Sequence, residues 1–301
     1  MEHKPVLLHE VIANLSIHSD GIYVDGTLGA GGHASAIVEQ LSTRGRLIAC
    51  DLDPLAISHG ENIFRDAHNV TLVRDSFKHI PEILGTNHIN QVDGILLDLG
   101  WNSDQFTDAS RGFSFQEDGP LDMTFDQASD SPDRLTASII INTWDERELA
   151  DTLYKYADEG FSRRIAQAIV ENRKKSPIIS TTELAKIITD AVPAFYRHRR
   201  IHPATKTFQA LRIAVNDETN VLESSITNLV KKLRQGGRLL IITFHSIEDR
   251  IVKRAFRELE NDGYGNCVIK RGITASASEI SQNPRSRSAR LRIFEKNNTY
   301  E

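Results

Sequence analysis

Ile22-Tyr-Val-Asp25-Gly-Thr-Leu-Gly-Ala-Gly-Gly-His33 is the stretch on which the reading of this 301-residue chain turns. A short apolar run closes on a carboxylate, Asp25, as a strand does when it ends in a loop. Four glycines follow within seven residues, at 26, 29, 31 and 32. Glycine lets backbone amides approach a ligand closely and admits positive φ. Helical spacing resumes at 34–41, so the glycines occupy a strand-to-helix turn. The next apolar run, Arg46-Leu-Ile-Ala-Cys-Asp51, ends on a second carboxylate, about twenty residues beyond the turn. An acidic residue there can accept hydrogen bonds from both ribose hydroxyls of a nucleotide-like cofactor.

The pattern repeats outward. Pro54 suits the first turn of a helix. Val70-Thr-Leu-Val73 reads as a third strand, and Val92-Asp-Gly-Ile-Leu-Leu-Asp98 as a fourth, apolar enough for the middle of a sheet. Strands alternating with helices predict an α/β fold, a doubly wound and mostly parallel sheet covered on both faces. The alternation then stops. Residues 102–134 are polar and loop-like, and helical patterns follow at 136–141, 146–156, 161–173 and 182–190. A longer helical pattern runs from 204 to about 233 and stops at Gly236-Gly237. Arg238-Leu-Leu-Ile-Ile-Thr-Phe244 reads as a fifth buried strand, 247–259 as a helix, and 267–270 and 291–294 as final strands. The expected organisation is therefore a cofactor domain in two parts, 1–106 and 204–301, interrupted by a mainly helical substrate-binding subdomain at 107–203. Inserted blocks of this kind often supply the substrate side of a cleft.

The glycine turn alone admits two cofactors. Gly29-Ala-Gly31-Gly-His-Ala34 fits the G-x-G-x-x-A fingerprint of NAD-binding domains, which would make the chain an oxidoreductase. Against that, a pyrophosphate near the turn would be repelled by Asp25. A cofactor carrying a sulfonium and an amino group, S-adenosylmethionine, suits a carboxylate there, and Asp98 adds another negative group at the cleft. Both readings stand at this point.

Charge is unevenly placed within a net charge of −5, which argues against a general nucleic-acid coat protein but not against a nucleic-acid substrate. Residues 93–133 hold ten acidic side chains and one basic one, Arg111, whereas 163–206 hold ten Lys or Arg and three acidic residues. The basic stretch can bind phosphates while the acidic one stays away from them. Cys50 and Cys267 are far apart and belong to no Cys-x-x-Cys pair, as expected of packing cysteines in a reducing compartment. No metal-ligand cluster stands out, the acidic run 118–126 being the nearest to one. No apolar run reaches membrane-spanning length and the N-terminus lacks a signal-peptide stretch, so the expected compartment is the cytoplasm.

Six stretches, in order, resemble the bacterial small-subunit ribosomal RNA methyltransferase H family, also called the MraW family. They are residues 25–33, Ile95-Leu-Leu-Asp-Leu-Gly100, Arg111-Gly-Phe-Ser-Phe115, Asp118-Gly-Pro-Leu-Asp-Met123, His202-Pro-Ala-Thr-Lys-Thr-Phe-Gln-Ala-Leu-Arg212 and Phe244-His-Ser-Ile-Glu-Asp-Arg250. The resemblance implies the class I S-adenosylmethionine methyltransferase fold. It also implies N4-methylation of one cytidine in the decoding region of 16S ribosomal RNA, the RNA being met within the small ribosomal subunit. A non-catalytic RNA-binding ribosome assembly factor with the same fold is a further reading. By resemblance the cofactor contacts are Gly31, Gly32, His33, Asp51, Phe77, Asp98 and Gln105. Trp101-Asn102 and Asp104 depart from the small Val-Ser and Pro usual in the family. Thr124 and Lys206 stand where arginine is usual, and lysine does not reproduce the planar guanidinium fork.

Asp98 is the expected catalytic residue, because the C-terminal end of a middle strand opens onto the cleft of a doubly wound sheet. For the substrate base, Trp101, Phe113, Phe115 and Phe208 are candidate stacking partners. His202, Thr205, Lys206, Gln209 and His245 bring polar groups suited to a cytosine edge. Arg197-His-Arg-Arg200 and Arg285, Arg287, Arg290 and Arg292 are candidate phosphate contacts.

Overall fold

The computed structural model describes residues 4–100, 108–126 and 134–297. The chain divides into two compact units, one of Met1–Trp101 with Thr219–Glu301 and one of Asn102–Glu218.

The first unit is built on one eight-stranded sheet: β1 (Ile22–Asp25), β2 (Arg46–Asp51), β3 (Val70–Arg74), β4 (Val92–Asp98), β5 (Leu233–Thr243), β6 (Gly265–Cys267), β7 (Ile273–Thr274) and β8 (Arg290–Lys296). The strand order is β3-β2-β1-β4-β5-β8-β6, with β7 also on β8. Strands β1 to β5 are parallel, and β8 runs antiparallel to β5. Alternate residues of the middle strands enter different cores. Ile95 and Leu97 of β4 face one side with Leu239 and Ile241 of β5, while Leu96, Leu240 and Ile242 face the other. The first side is covered by α4 (Ile80–Thr86), α11 (Glu218–Lys232) and α12 (Ser246–Asn261). The second is covered by α1 (Leu8–Leu15), α2 (Gly32–Val38) and α3 (Pro54–Ile63). Burial on both faces is why these strands read as unbroken apolar runs. The doubly wound, mostly parallel sheet is as expected.

The second unit packs α5 (Ala137–Thr143), α6 (Glu146–Ala157), α7 (Ser162–Arg173), α8 (Thr181–Ala191), the single turn α9 (Ala194–Arg197) and α10 (Ala204–Val215) around its own core. Ile140, Leu149, Leu153, Ile165, Leu184, Ile188, Phe208 and Leu211 are buried there. Thr136, Asp145 and Ser180 cap α5, α6 and α8 by accepting from the backbone amide three residues on. Arg111 is 1% exposed, and its guanidinium donates to the carbonyls of Thr124 and Phe125.

Four expectations change. The inserted block was expected to end at 203, but the helical unit continues to Glu218, because Ala204, Phe208 and Leu211 of α10 bury their apolar face in the helical core. The pattern from 204 to 233 is two helices, α10 and α11. They break at Asn216, whose side chain donates to the Met123 carbonyl and accepts from the Phe125 amide, and at Asp217, held at φ 51°. Gly236-Gly237 does not stop a helix. It lies in a bulge of β5, where pairing jumps from Val92–Leu233 to Gly94–Arg238 and Gly236 takes φ 72°. The strand expected at 267–270 is Gly265–Cys267, with β7 added after a turn at Gly272. Among the described residues no helix is long and apolar enough to cross a membrane.

Candidate functional site

In strand order the sheet reverses direction of growth between β1 and β4, the switch point where open α/β sheets bind ligands beyond the strand ends. Three carboxylates stand at those ends, Asp25 on β1, Asp51 on β2 and Asp98 on β4. The glycine turn that follows β1 holds Gly29 at φ 50° and Gly31 at φ 78°. Gly31 is the N-cap of α2. A Cβ on Gly32 would lie 2.3 Å from Pro5 Cγ, so this position needs glycine for the N-terminal segment to pack against it.

The turn is tied to its neighbours by polar contacts. Asp51 accepts from the Gly29 amide and from the Asp53 amide, both at 2.9 Å. Asp25 Oδ1 accepts from the Thr27 amide at 3.1 Å, while its buried Oδ2 has no hydrogen-bond partner among the described residues. Thr27 Oγ1 accepts from the Asp98 amide at 2.6 Å and so joins the turn to the end of β4. Sequence reasoning missed Thr27, because a threonine inside a glycine-rich turn gives no signal of a partner on another strand. His33, on the first turn of α2, is buried, and its Nε2 lies 3.5 Å from Asp98 Oδ2. Phe77 begins a 3₁₀ turn after β3, with its Cβ 3.0 Å from the place a Gly26 side chain would take.

Burial dominates the electrostatics of the cluster. Desolvation pushes the carboxyl of Asp25 up to about 6, against the opposing pull of His33 and the Thr27 amide. Desolvation likewise pushes Asp51 up to about 6, although the Asp53 and Gly29 amides favour its ionised form. Burial opposes charge on His33, but Asp98 and Asp25 outweigh it and the imidazole is raised above its ordinary value. A site of three carboxylates and one imidazole attracts a cation and disfavours a pyrophosphate dianion. A buried acceptor without a donor, such as Asp25 Oδ2, fits a cationic cofactor.

Of the residues predicted for the cofactor, Gly31, Gly32, His33, Asp51, Phe77 and Asp98 thus stand on the turn and strand ends of one unit. Gln105 and Trp101 lie outside the described residues. On the helical unit, Thr205, Lys206 and Gln209 share the face of α10 opposite the buried Phe208 and Leu211. Lys206 Nζ donates to the Asp158 carbonyl at 2.8 Å. His202 is exposed just before α10, with its ring 4.6 Å from that of Phe115 and its Nδ1 accepting from the Ala204 amide.

Several expected contacts are engaged elsewhere. Phe113 is 5% exposed and stacked on Phe125, and Phe208 is 4% exposed beneath Phe115, so both rings belong to the helical core. His245 caps α12: its Nδ1 accepts from the Glu248 amide, and Nε2 lies 3.0 Å from Glu248 Oε1. Arg292 is buried in a two-pronged pair with Asp249, at 2.6 and 2.9 Å, and is not available to a phosphate. Arg197 donates to the carbonyls of Asp190 and Val192, closing the end of α8. Arg199 lies over the rings of Tyr196 and Phe195. Among the described residues no three His, Cys, Asp or Glu side chains converge as metal ligands. In the acidic run, Asp118 accepts from Thr182 and Asp122 pairs with Arg134.

Compared with known proteins, residues 1–297 match the model of the MraW methylase family. The chain is 43% identical to the ribosomal RNA small subunit methyltransferase H of Halothermothrix orenii over 98% of this chain and 99% of that one. It is 44% identical to the protein of the same name from Clostridium botulinum, again over 98% and 99%. Among solved structures, an rRNA methylase from Streptococcus thermophilus aligns over 99% of both chains with a TM-score of 0.45 and 11% identity.

Proposed function

Because this chain belongs to the MraW methylase family, we propose that it is an S-adenosylmethionine-dependent ribosomal RNA methyltransferase acting on the exocyclic N4 amine of a cytidine in the decoding region of 16S ribosomal RNA. The sheet is the doubly wound, mostly parallel one of class I S-adenosylmethionine methyltransferases, with its last long strand reversed. The observation that carries the cofactor assignment is the acidic glycine turn, with its buried and unpartnered Asp25 Oδ2. An NAD pyrophosphate would meet three carboxylates there. The substrate assignment is supported by the family match across residues 1–297 and by relatives that share more than two fifths of the sequence.

The cofactor, when bound, supplies a methyl group on a positively charged sulfur. The residues to hold it are Gly31, Gly32, His33, Asp51 and Phe77, with Asp51 suited to the ribose hydroxyls. Asp25 and Asp98 offer negative charge to its cationic end. Cytosine N4 is a weak nucleophile because its lone pair is delocalised into the ring. Holding it in line therefore supplies much of the rate, up to roughly 7–11 kcal/mol of barrier for well-oriented reactants. The amine gains positive charge as it attacks and must lose a proton. Asp98 is the residue assigned to stabilise that charge or accept the proton at a carboxylate oxygen. His33 Nε2 lies 3.5 Å from that carboxylate and can orient it. The base has to leave its stack to reach the methyl group. The exposed face of α10, with His202 and Phe115, is the surface we assign to it.

Incubation with labelled S-adenosylmethionine and small ribosomal subunits tests the activity. Label recovered in the RNA is the expected result. A chain that binds the cofactor but transfers no label to RNA, free or assembled, would instead be a non-catalytic assembly factor. A chain that binds NAD in its place would be an oxidoreductase.

A further inference from the structure

Outside the glycine turn, the first unit has a second concave feature. A cavity of about 130 Å³ lies between α12 and the β6–β8 edge, lined by Lys253, Arg257, Lys270, Cys267 and Ile269 over a floor of Phe256 and Ile293. Lys253 and Arg257 are one helical turn apart, about 6 Å along the axis of α12. Lys270 enters from the segment that follows β6. All three are exposed, and no ion pair or hydrogen bond engages their side chains among the described residues, the Lys270 carbonyl accepting from Arg292. Of the other charged residues in the lining, Arg292 is paired and Glu260 carries a single amide hydrogen bond. Arg292 forms the inner wall with both prongs on Asp249, and Glu260, at the lower end, accepts from the Cys267 amide. Arg290 donates to the Arg271 carbonyl and continues the basic strip toward the strand ends. Beside it Val268 and Ile269 are exposed apolar side chains.

With Glu260 the only unpaired carboxylate among the described lining residues, against Lys253, Arg257 and Lys270, the hollow keeps a net positive charge in a chain of net charge −5, which favours an anion. The repulsion of its three cations is relieved by a phosphate, and the spacing along α12 suits successive phosphates of a strand rather than a single ion. The helix leads away from the strand ends: it starts at Ser246, just after β5, and Lys253 lies about 10 Å down its axis. We propose that this groove, through Lys253, Arg257 and Lys270, holds the ribose-phosphate backbone of the RNA substrate along a segment away from the modified base. The exposed Ile269 in the lining gives an apolar contact to the sugar faces. This assignment rests on the reading of the protein as a ribosomal RNA methyltransferase. It adds a backbone-binding surface that carries no base specificity.

The test measures the salt dependence of RNA affinity for wild type and for the triple variant Lys253→Gln/Arg257→Gln/Lys270→Gln, with a decoding-region fragment of small-subunit ribosomal RNA as probe. Each lost phosphate contact lowers the slope of log affinity against log salt by about 0.7 for single-stranded RNA. Three contacts remove about two, so the variant and wild type converge near 1 M salt and differ roughly a hundredfold at 0.1 M. S-adenosylmethionine affinity stays at the wild-type value, and the charge-conserving variant Lys253→Arg/Arg257→Lys/Lys270→Arg keeps the wild-type slope. An unchanged slope in the glutamine variant overturns the groove while leaving the methyltransferase reading in place. So does weaker binding at constant slope, or a loss that the charge-conserving variant shares. Wild type that binds S-adenosylmethionine but neither the RNA fragment nor the small ribosomal subunit at any salt overturns both.

Discussion

Replacing Asp25 by asparagine should make the cofactor-free protein more stable above pH 6 and leave it unchanged at pH 4. The carboxyl is 1% exposed, and its Oδ2 has no hydrogen-bond partner among the described residues. Burial raises it from 3.8 to about 6. An acid raised in the folded state binds its proton more tightly there than in the unfolded chain. Below about pH 4 both states are protonated and nothing is lost. As pH rises from about 4 to 6 the unfolded state ionises first and folding stability falls; above 6 the whole penalty is in place. Two units correspond to about 3 kcal/mol at 1.36 kcal/mol each. Asparagine keeps the oxygen that accepts from the Thr27 amide and removes the charge. Thermal unfolding at pH 8 should then shift up by roughly 4–8 °C, while the pH 4 midpoints coincide. S-adenosylmethionine affinity should fall in the same variant, because the cationic cofactor loses its buried counter-charge. Equal midpoints at pH 8, or a destabilisation that is the same at both pH values, would refute the argument that this carboxylate is held at a folding cost for the ligand.

Other substitutions separate the roles assigned to the site. Asp98→Asn should lower the turnover rate by roughly a hundredfold or more, the usual scale for a positioned proton acceptor. Cofactor affinity, read by calorimetry, should fall by much less; loss of affinity alone would make Asp98 only a binding residue. Gly32→Ala puts a carbon 2.3 Å from Pro5 Cγ and should weaken cofactor binding and lower Tm together, whereas unaltered binding would show that the N-terminal contact does not shape the turn. Asp249→Ala strands the buried Arg292 and should cost about 3–5 kcal/mol by denaturant titration. Charge reversal at Arg199 and Arg200 should weaken RNA binding and flatten its salt dependence, and a constant slope would remove them from the interface.

The fold was legible where local chemistry and burial agree. β4 and β5 are covered on both faces, so their apolar runs stand out, and Asp53-Pro54 opens α3 with a capped first turn. Boundaries were missed where a distant partner decides. Nothing around Asn216 says that its side chain is taken by the 123–125 segment, and Gly236-Gly237 has the composition of a helix stop although it sits in a strand bulge. The site shows the same division. Asp25, Asp51 and Asp98 were visible as carboxylates ending apolar runs. Their ties through Thr27 and His33 depend on which strands become neighbours. Arg292 and Phe113 read as ligands because arginine and phenylalanine often are, but a half-buried aspartate partner and a stacked ring claim them.

The proposed reaction is methylation of a cytidine N4 in ribosomal RNA with S-adenosylmethionine. The most direct measurement is mass mapping of small-subunit ribosomal RNA after reaction with isotope-labelled cofactor. The expected product carries one added methyl group on the exocyclic amine of a single decoding-region cytidine, absent with Asp98→Asn on the same timescale. A methyl group on a ring carbon, on a ribose hydroxyl or on another base would contradict it.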